Sequence, residues 1–155
     1  MALKRIGISS RIMNIEKFDE KRDTISHDWI NFVQRLGLLP ILIPNKIIDV
    51  EDYISKLNLE GIILSGGDNI GEFPERDKTE IRIIEHSIRN HIPILGVCRG
   101  MQLINEFFNG KNIMNKVLIQ TLNIGIKYKK DDAVLFKLPS SSKISIVATK
   151  NKYAA

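Results

Sequence analysis

The segment Gly96-Val97-Cys98-Arg99-Gly100 constrains the fold of this chain more than any other feature. It closes the apolar run 93–97 and stands directly before a helical pattern over residues 101–108. A strand, a sharp turn and a helix in this order raise one side chain above a sheet, here that of Cys98. Gly96 and Gly100 lack the Cβ atoms that would clash in so tight a turn. The segment predicts a nucleophile elbow with Cys98 as the nucleophile, and the alternative is a buried, inert cysteine.

Apolar runs and helical patterns alternate four times along residues 1–110. The runs predict strands and the amphipathic segments predict helices, the first of which Thr24 or Ser26 caps. The predicted strands are residues 4–10, 38–44, 61–64 and 93–97. The first predicted helix begins after Thr24 or Ser26 and ends at Gly37, and the others are residues 49–57, 77–90 and 101–108. Continuous apolar strands are covered on both faces, which indicates an α/β three-layer sandwich around a mainly parallel sheet. No element is predicted for the polar residues 11–23 or for the polar loop that runs to Arg76.

Composition favours one domain that spans all 155 residues. A single cysteine forms no internal disulfide, and the sequence has neither a membrane-spanning apolar stretch nor a secretory leader, so we expect a cytoplasmic protein. Residues 1–110 carry 14 Lys and Arg against 16 Asp and Glu, whereas residues 111–155 carry nine Lys against two Asp. The lysines are scattered and no nucleic-acid motif accompanies them. A solvated basic face is therefore favoured over nucleic-acid binding.

The pattern weakens after Gly110. Residues 112–120, 124–128 and 143–148 predict strands, and residues 129–132 and 139–142 predict turns. We expect residues 114–155 to be divergent, basic and poorly ordered, in contrast to residues 1–113.

Two motifs at the predicted carboxyl edge of the sheet carry a family resemblance. Ser65-Gly66-Gly67-Asp68 follows one buried strand, and the Cys98 segment follows the next about thirty residues later. Active sites of open α/β sheets lie at this edge. Together with the element Arg76-Asp77…Glu80 between them, these motifs resemble class I glutamine amidotransferases, and more narrowly their γ-glutamyl hydrolase branch, over residues 4–113. The resemblance implies a flavodoxin-like fold that acts on a small γ-glutamyl substrate without a cofactor or metal.

The resemblance also implies roles for particular residues. Cys98 is the nucleophile that forms a γ-glutamyl thioester, which water then cleaves. The backbone N–H groups of Gly67 and Arg99 form the oxyanion hole. Gly66 and Gly67 are a glycine pair, which lets the backbone approach the substrate closely. Gln102 holds the glutamyl end of the substrate, although as a residue of the elbow helix it is equally well explained as a surface position. The amine half of the substrate stays open.

The family has a His and a Glu in the sequence after the elbow, and this chain lacks both at those positions. It has no His beyond His91 and no Glu beyond Glu106, and the faint match puts Leu122 at the His position. His91 should lie roughly 15 Å or more from Cys98, at about 3.3 Å per residue of strand. His27 is the one histidine that could approach the site. We therefore expect a member truncated or degenerate at its C-terminal side, with weak or no activity.

Three alternatives remain open. In the first, a partner subunit completes the site, and the chain could also form a homo-oligomer. In the second, the chain is an inactive module that binds a glutamyl ligand or another subunit. In the third, the chain is a small cysteine hydrolase in which an acid near Cys98 replaces the His and Glu, with Glu72, Glu75 and Glu80 as the candidates.

Overall fold

In the computed structural model, residues 2–109 are described in full, together with the backbone of residues 111–113, 116–118, 134–137 and 144–148. The strands are β1 Arg5–Ser9, β2 Arg11–Ile15, β3 Glu20–Thr24, β4 Leu39–Ile43, β5 Gly61–Leu64, β6 Ile94–Val97, β7 Lys111–Ile113, β8 Lys116–Leu118, β9 Val134–Lys137 and β10 Ile144–Ala148. The helices are α1 His27–Arg35, α2 Val50–Leu57, α3 Pro74–Arg89 and α4 Arg99–Phe107. None of the described helices is long and apolar enough to cross a membrane.

A six-stranded sheet in the order β4-β1-β5-β6-β10-β9 forms the centre of the molecule. All neighbouring strands are parallel except β9, which pairs antiparallel with β10. Alternate residues of a strand point to opposite faces. Ile62 and Leu64 pack with α2, α3 and α4, whereas Ile63 packs with α1. Helices therefore cover both faces, and the predicted α/β sandwich is confirmed.

The polar residues 11–23, for which no element is predicted, form the hairpin β2–β3. Its strands are joined through a short 3₁₀ turn over Glu16–Phe18. Ile12 is 5% exposed and anchors the hairpin, while the other side chains alternate too weakly for a strand prediction. The hairpin leaves the sheet at the carboxyl end of β1, so it lies at the edge where the predicted site falls.

Helix α3 begins three residues earlier than the apolar pattern predicts. Pro74 occupies its first turn, where a missing N–H costs nothing, and Glu75 and Asp77 add the acidic character of a helix start. Because the early start makes Arg76 a helical residue, its side chain points into the protein rather than into a polar loop.

The strand predicted over residues 143–148 is confirmed as β10, which pairs with β6. The predicted strand over residues 112–120 is divided into the antiparallel pair β7–β8, and β9 was not predicted. The predicted strand over residues 124–128 and both predicted turns lie outside the described residues. The wider expectation for residues 114–155 stays a prediction.

Candidate active site

Cys98 is the single residue that connects strand β6 to helix α4. Strand β6 ends at Val97 and α4 begins at Arg99, while Cys98 itself takes φ 53° and ψ −110°. A non-glycine residue at positive φ is uncommon and strained. We call residues 97–100 the Cys98 turn.

The two flanking glycines let the backbone of this turn pack tightly. A Cβ on Gly96 would lie 2.8 Å from the backbone nitrogen of Met101. A Cβ on Gly100 would lie 2.7 Å from the carbonyl carbon of Leu64 and would overlap its oxygen. Real Cβ atoms do not approach backbone this closely. Helix α4 can therefore sit directly against β5 and β6 only because positions 96 and 100 carry no side chain.

The segment Ser65-Gly66-Gly67-Asp68, which we call the two-glycine loop, lies beside Cys98. Strands β5 and β6 are parallel neighbours, so the residues that follow them meet at one edge of the sheet. A Cβ on Gly66 would lie 3.2 Å from Cys98 Cβ and 4.0 Å from its Sγ. Gly67 has a φ of +101°, which favours glycine. The two predicted motifs therefore lie side by side at this edge.

The start of helix α4 lies at this edge of the sheet. Arg99 is the first residue of α4, and the first four N–H groups of a helix have no partner within the helix. Gln102 lies in the first turn of the same helix, where its N–H donates to the Cys98 carbonyl at 3.1 Å. Its side chain is half-buried rather than fully exposed.

A buried arginine fixes the two-glycine loop. Arg76 is fully buried, and its Nη2 donates to the Ser65 carbonyl at 2.9 Å, to Ser65 Oγ at 3.1 Å and to the Gly66 carbonyl at 3.2 Å. Its Nη1 donates to Asp68 Oδ2 at 2.7 Å. From the other side, Ser65 donates through its N–H and Oγ to Ser9 at 2.9 and 2.7 Å. Hydrogen bonds from Arg76 on one side and to Ser9 on the other thus hold the loop.

The same charged cluster continues to the Cys98 turn. Arg76 Nε donates to Glu80 Oε1 at 3.1 Å, and the second oxygen of Glu80 accepts from Arg99 Nη1. Arg99 Nη2 donates to Asp77, whose other oxygen accepts the Gly71 N–H at 2.7 Å. We call this group the arginine clamp: Arg76, Arg99, Asp68, Asp77 and Glu80. The sequence signal for it was the element Arg76-Asp77…Glu80, which the family resemblance singled out without giving it a role.

Comparisons with known proteins agree with this geometry. The family model "Peptidase C26" matches residues 5–148. The chain belongs to the Peptidase C26 family. Its class I glutamine amidotransferase-like character, predicted from the two motifs, is thereby confirmed. The family match also extends beyond residue 113, where the resemblance in the sequence ended.

Several C26-like and amidotransferase proteins are similar to the chain. A gamma-glutamyl-CDP-amidate hydrolase of Campylobacter jejuni is 31% identical over 113 residues, which cover 67% of this chain and 55% of that protein. A glutamine-hydrolyzing GMP synthase of Bacillus subtilis is 37% identical over 79 residues, covering 51% of this chain and 14% of that enzyme. A crystal structure assigned as a GMP synthase subunit of Thermoplasma acidophilum superposes with a TM-score of 0.52 at 24% identity, covering 72% and 48% of the two chains. This last likeness shows the fold alone.

The three acids named as candidates for a base near Cys98 all accept hydrogen bonds from other groups. Glu72 accepts from the Asn69 N–H at 2.9 Å, and Glu80 belongs to the arginine clamp. Glu75 pairs with Lys21 at 2.8 Å, and this hydrogen bond lowers the pKa of the Glu75 carboxyl. The geometry therefore gives no support to a carboxylate base drawn from these three residues.

The three histidines of the chain lie in different places. His27 begins α1 and is exposed at the carboxyl side of the sheet. His86 is buried in the last turn of α3, where burial lowers its pKa. His91 follows α3 before β6, so the whole of that strand separates it from Cys98, a length of about 13 Å at ~3.3 Å per residue. Of the three, His27 alone lies at the carboxyl edge of the sheet, where Cys98 lies.

Proposed function

We propose that this chain is a cysteine-dependent hydrolase domain that cleaves γ-glutamyl amide bonds through a thioester on Cys98. The observation that carries the proposal is the strained Cys98 turn packed against the two-glycine loop. The substrate class is suggested by the similar Campylobacter protein, which is named a gamma-glutamyl-CDP-amidate hydrolase. The chain spans 55% of that relative, so the activity is proposed for this chain and is not transferred from it.

The site supports the first chemical step as follows. The Cys98 thiolate attacks the side-chain carbonyl of the γ-glutamyl group, and the carbonyl oxygen becomes an oxyanion. In this proposal the backbone N–H groups of Gly67 and Arg99 stabilise this charge as the oxyanion hole. The C–N bond then breaks, the leaving amine takes a proton from water, and the glutamyl group stays on sulfur as a thioester. Gln102, one turn into α4, contacts the glutamyl end.

The second step is proposed to be slow. Water must cleave the thioester and release glutamate, and both steps normally use a His as base and acid. The sequence has no His beyond His91 and no Glu beyond Glu106, and the described acids near the site are paired. Loss of a histidine from such a unit typically costs several orders of magnitude in rate. We therefore propose acylation of Cys98 with impaired turnover.

One experiment separates these steps. The chain and its Cys98→Ala variant are mixed with glutamine and with a panel of γ-glutamyl amides, and glutamate release and the intact mass of the protein are followed. A Cys98-dependent glutamyl adduct with slow glutamate release supports the proposal. Turnover of roughly 1–1000 per second would contradict the impairment. The absence of both the adduct and glutamate release would contradict the hydrolase assignment.

The alternative function is a catalytically inactive module that binds a glutamyl ligand or another subunit. The absence of a His beyond His91 and of a Glu beyond Glu106 in residues 1–155 supports this alternative, as does the similarity to a glutamine-hydrolyzing GMP synthase. Thermal stabilisation of Cys98→Ala by glutamine without any adduct on the unmodified chain would support this module. A partner subunit or second copy that supplies the base would appear as turnover that depends on the concentration of that partner. A cytoplasmic location stays an expectation.

A further inference from the structure

We propose that Arg11, on the hairpin β2–β3, binds an anionic group of the substrate next to the two-glycine loop. The inference rests on the proposed function and deepens it, because it names the chemistry that the site recognises. The anion is a carboxylate or a phosphate. It belongs either to the α-carbon of the γ-glutamyl group or to the amine half of the substrate.

The side chain of Arg11 lies directly on Gly67. A Cβ on Gly67 would lie 3.1 Å from Arg11 Cγ and 3.2 Å from Arg11 Nε, and it would overlap Cδ between them. The aliphatic part of Arg11 thus fills the space that glycine leaves free. Its guanidinium is carried to the residue that we propose to supply one oxyanion-hole N–H group.

The two glycines limit how far this guanidinium lies from Cys98. Gly66 approaches Cys98 and Gly67 approaches Arg11, and consecutive Cα atoms are about 3.8 Å apart. These contacts limit the separation of Cys98 Sγ and Arg11 Nε to at most about 14 Å. An attack distance, an extended γ-glutamyl group and a hydrogen bond together span about 11 Å. The limit exceeds this span by about 3 Å, so the proposal requires an actual separation at least that much below the limit.

The guanidinium of Arg11 has no hydrogen-bond or ion-pair partner among residues 2–109. The carboxylates of the elements around it already accept from other donors, and they are Asp23, Asp68, Glu72, Glu75 and Asp77. An arginine keeps its charge at all ordinary pH values and offers five N–H donors in a planar fork that fits carboxylate or phosphate. A positive group of this kind beside a reaction site attracts an anion from solution.

The hairpin that carries Arg11 is held in place. Asp23, on the facing strand, accepts from the Asn45 N–H at 2.9 Å and from its Nδ2 at 2.5 Å. The ion pair of Lys21 with Glu75 ties β3 to α3 at 2.8 Å. With Ile12 buried next to it, Arg11 starts from a fixed backbone position, which reduces the entropy lost when an anion binds.

The test measures the binding of four probes to the Cys98→Ala chain by calorimetry, so that no turnover is needed. The probes are γ-glutamyl-ethylamide, γ-glutamyl-β-alanine and the α-carboxamide counterpart of each. They vary the anion on the glutamyl end and on the amine end independently. Each is measured with Arg11 intact, with Arg11→Gln, and with Arg22→Gln as the matched control. Arg22 lies on the same hairpin and is exposed and paired with Glu20 at 2.8 Å.

We expect Arg11→Gln to weaken binding about tenfold or more, only for probes that carry the recognised anion. A loss confined to the α-carboxylate probes assigns Arg11 to the glutamyl end, and a loss confined to the β-alanine probes assigns it to the amine half. Arg22→Gln should change neither, and Arg11→Lys should restore part of the affinity. Equal affinities of all four probes, the same loss in both glutamine variants, or no binding with Arg11 intact would overturn the inference. The glutamyl adduct on unmodified Cys98 tests the hydrolase separately, since it can form whether or not Arg11 contributes.

Discussion

The Cys98 turn and the two-glycine loop border the same space, yet different forces hold them. The turn keeps its shape because Gly96 and Gly100 carry no side chain and α4 packs directly on β5 and β6. The loop keeps its shape because Arg76 donates to Ser65, Gly66 and Asp68. One half of the site therefore depends on excluded volume and the other half on buried charge. Arg99 joins the two, since its backbone belongs to the turn and its side chain to the arginine clamp.

The largest effect should come from adding one methyl group to the Cys98 turn. In Gly100→Ala the new Cβ overlaps the Leu64 carbonyl, which is backbone and cannot rotate away. We expect a loss of more than about 4 kcal/mol in the free energy of unfolding, a size that marks severe overpacking. Urea unfolding followed by circular dichroism measures it.

The matched control for that change is Gly61→Ala. A Cβ there would lie 3.1 Å from Ile6 Cδ1, the end of a flexible side chain, and we expect a loss below about 1.5 kcal/mol. Similar losses in both variants would show that packing at position 100 is not special.

The next largest effect should come from the arginine clamp. Arg76→Ala leaves Asp68 and Glu80 without this donor, and Glu80 is fully buried. Removal of one partner from a buried charged cluster costs about 3–5 kcal/mol. The loop that carries Gly66 and Gly67 should also loosen, which should slow the formation of the glutamyl adduct on Cys98.

Arg82→Ala is the control on the same helix. Arg82 is half-exposed and pairs with Glu85 at 2.8 Å, and such surface pairs contribute about 1 kcal/mol or less. If Arg76→Ala were no more destabilising than Arg82→Ala, the loop would not depend on the clamp.

The same contrast explains what the sequence could predict. The Cys98 turn was predictable because its determinants are local: an apolar run, two glycines and a helical pattern within sixteen residues. The arginine clamp was not, because all its bonds except Arg76–Glu80 join residues 8 to 22 positions apart, and a fully buried arginine is rare. Arg11 was missed for a related reason, since its hairpin carries too little apolar pattern to predict a strand. The parallel sheet followed from the strands' continuous apolar character, whereas strand β9 was not predicted although residues 133–136 are all apolar.

A smaller effect should reveal the strain stored in the Cys98 turn. Glycine adopts φ 53° and ψ −110° without the cost that a Cβ adds, whereas alanine does not. Cys98→Gly should therefore be more stable than Cys98→Ala by about 1 kcal/mol, after allowance for the greater freedom of glycine in the unfolded chain. Thermal unfolding of the two variants compares them directly. A less stable Cys98→Gly would mean that the turn is relaxed and that its shape is set by packing alone.

The smallest effect concerns the far end of α3, which carries the arginine clamp at its start and His86 in its last turn. Burial lowers the pKa of His86 first of all; Arg89 lowers it further, and Glu51 opposes the shift. The unfolded chain therefore binds a proton at His86 more readily than the folded chain does. The stability that the neutral, buried His86 contributes is present above the unfolded pKa of about 6.5 and is lost as the pH falls towards the lowered folded value. His86→Gln should flatten this part of the pH dependence, measured by urea unfolding between pH 5 and 8. An unchanged slope in His86→Gln would place the pH dependence elsewhere, and the charged clamp would then be the first region to examine.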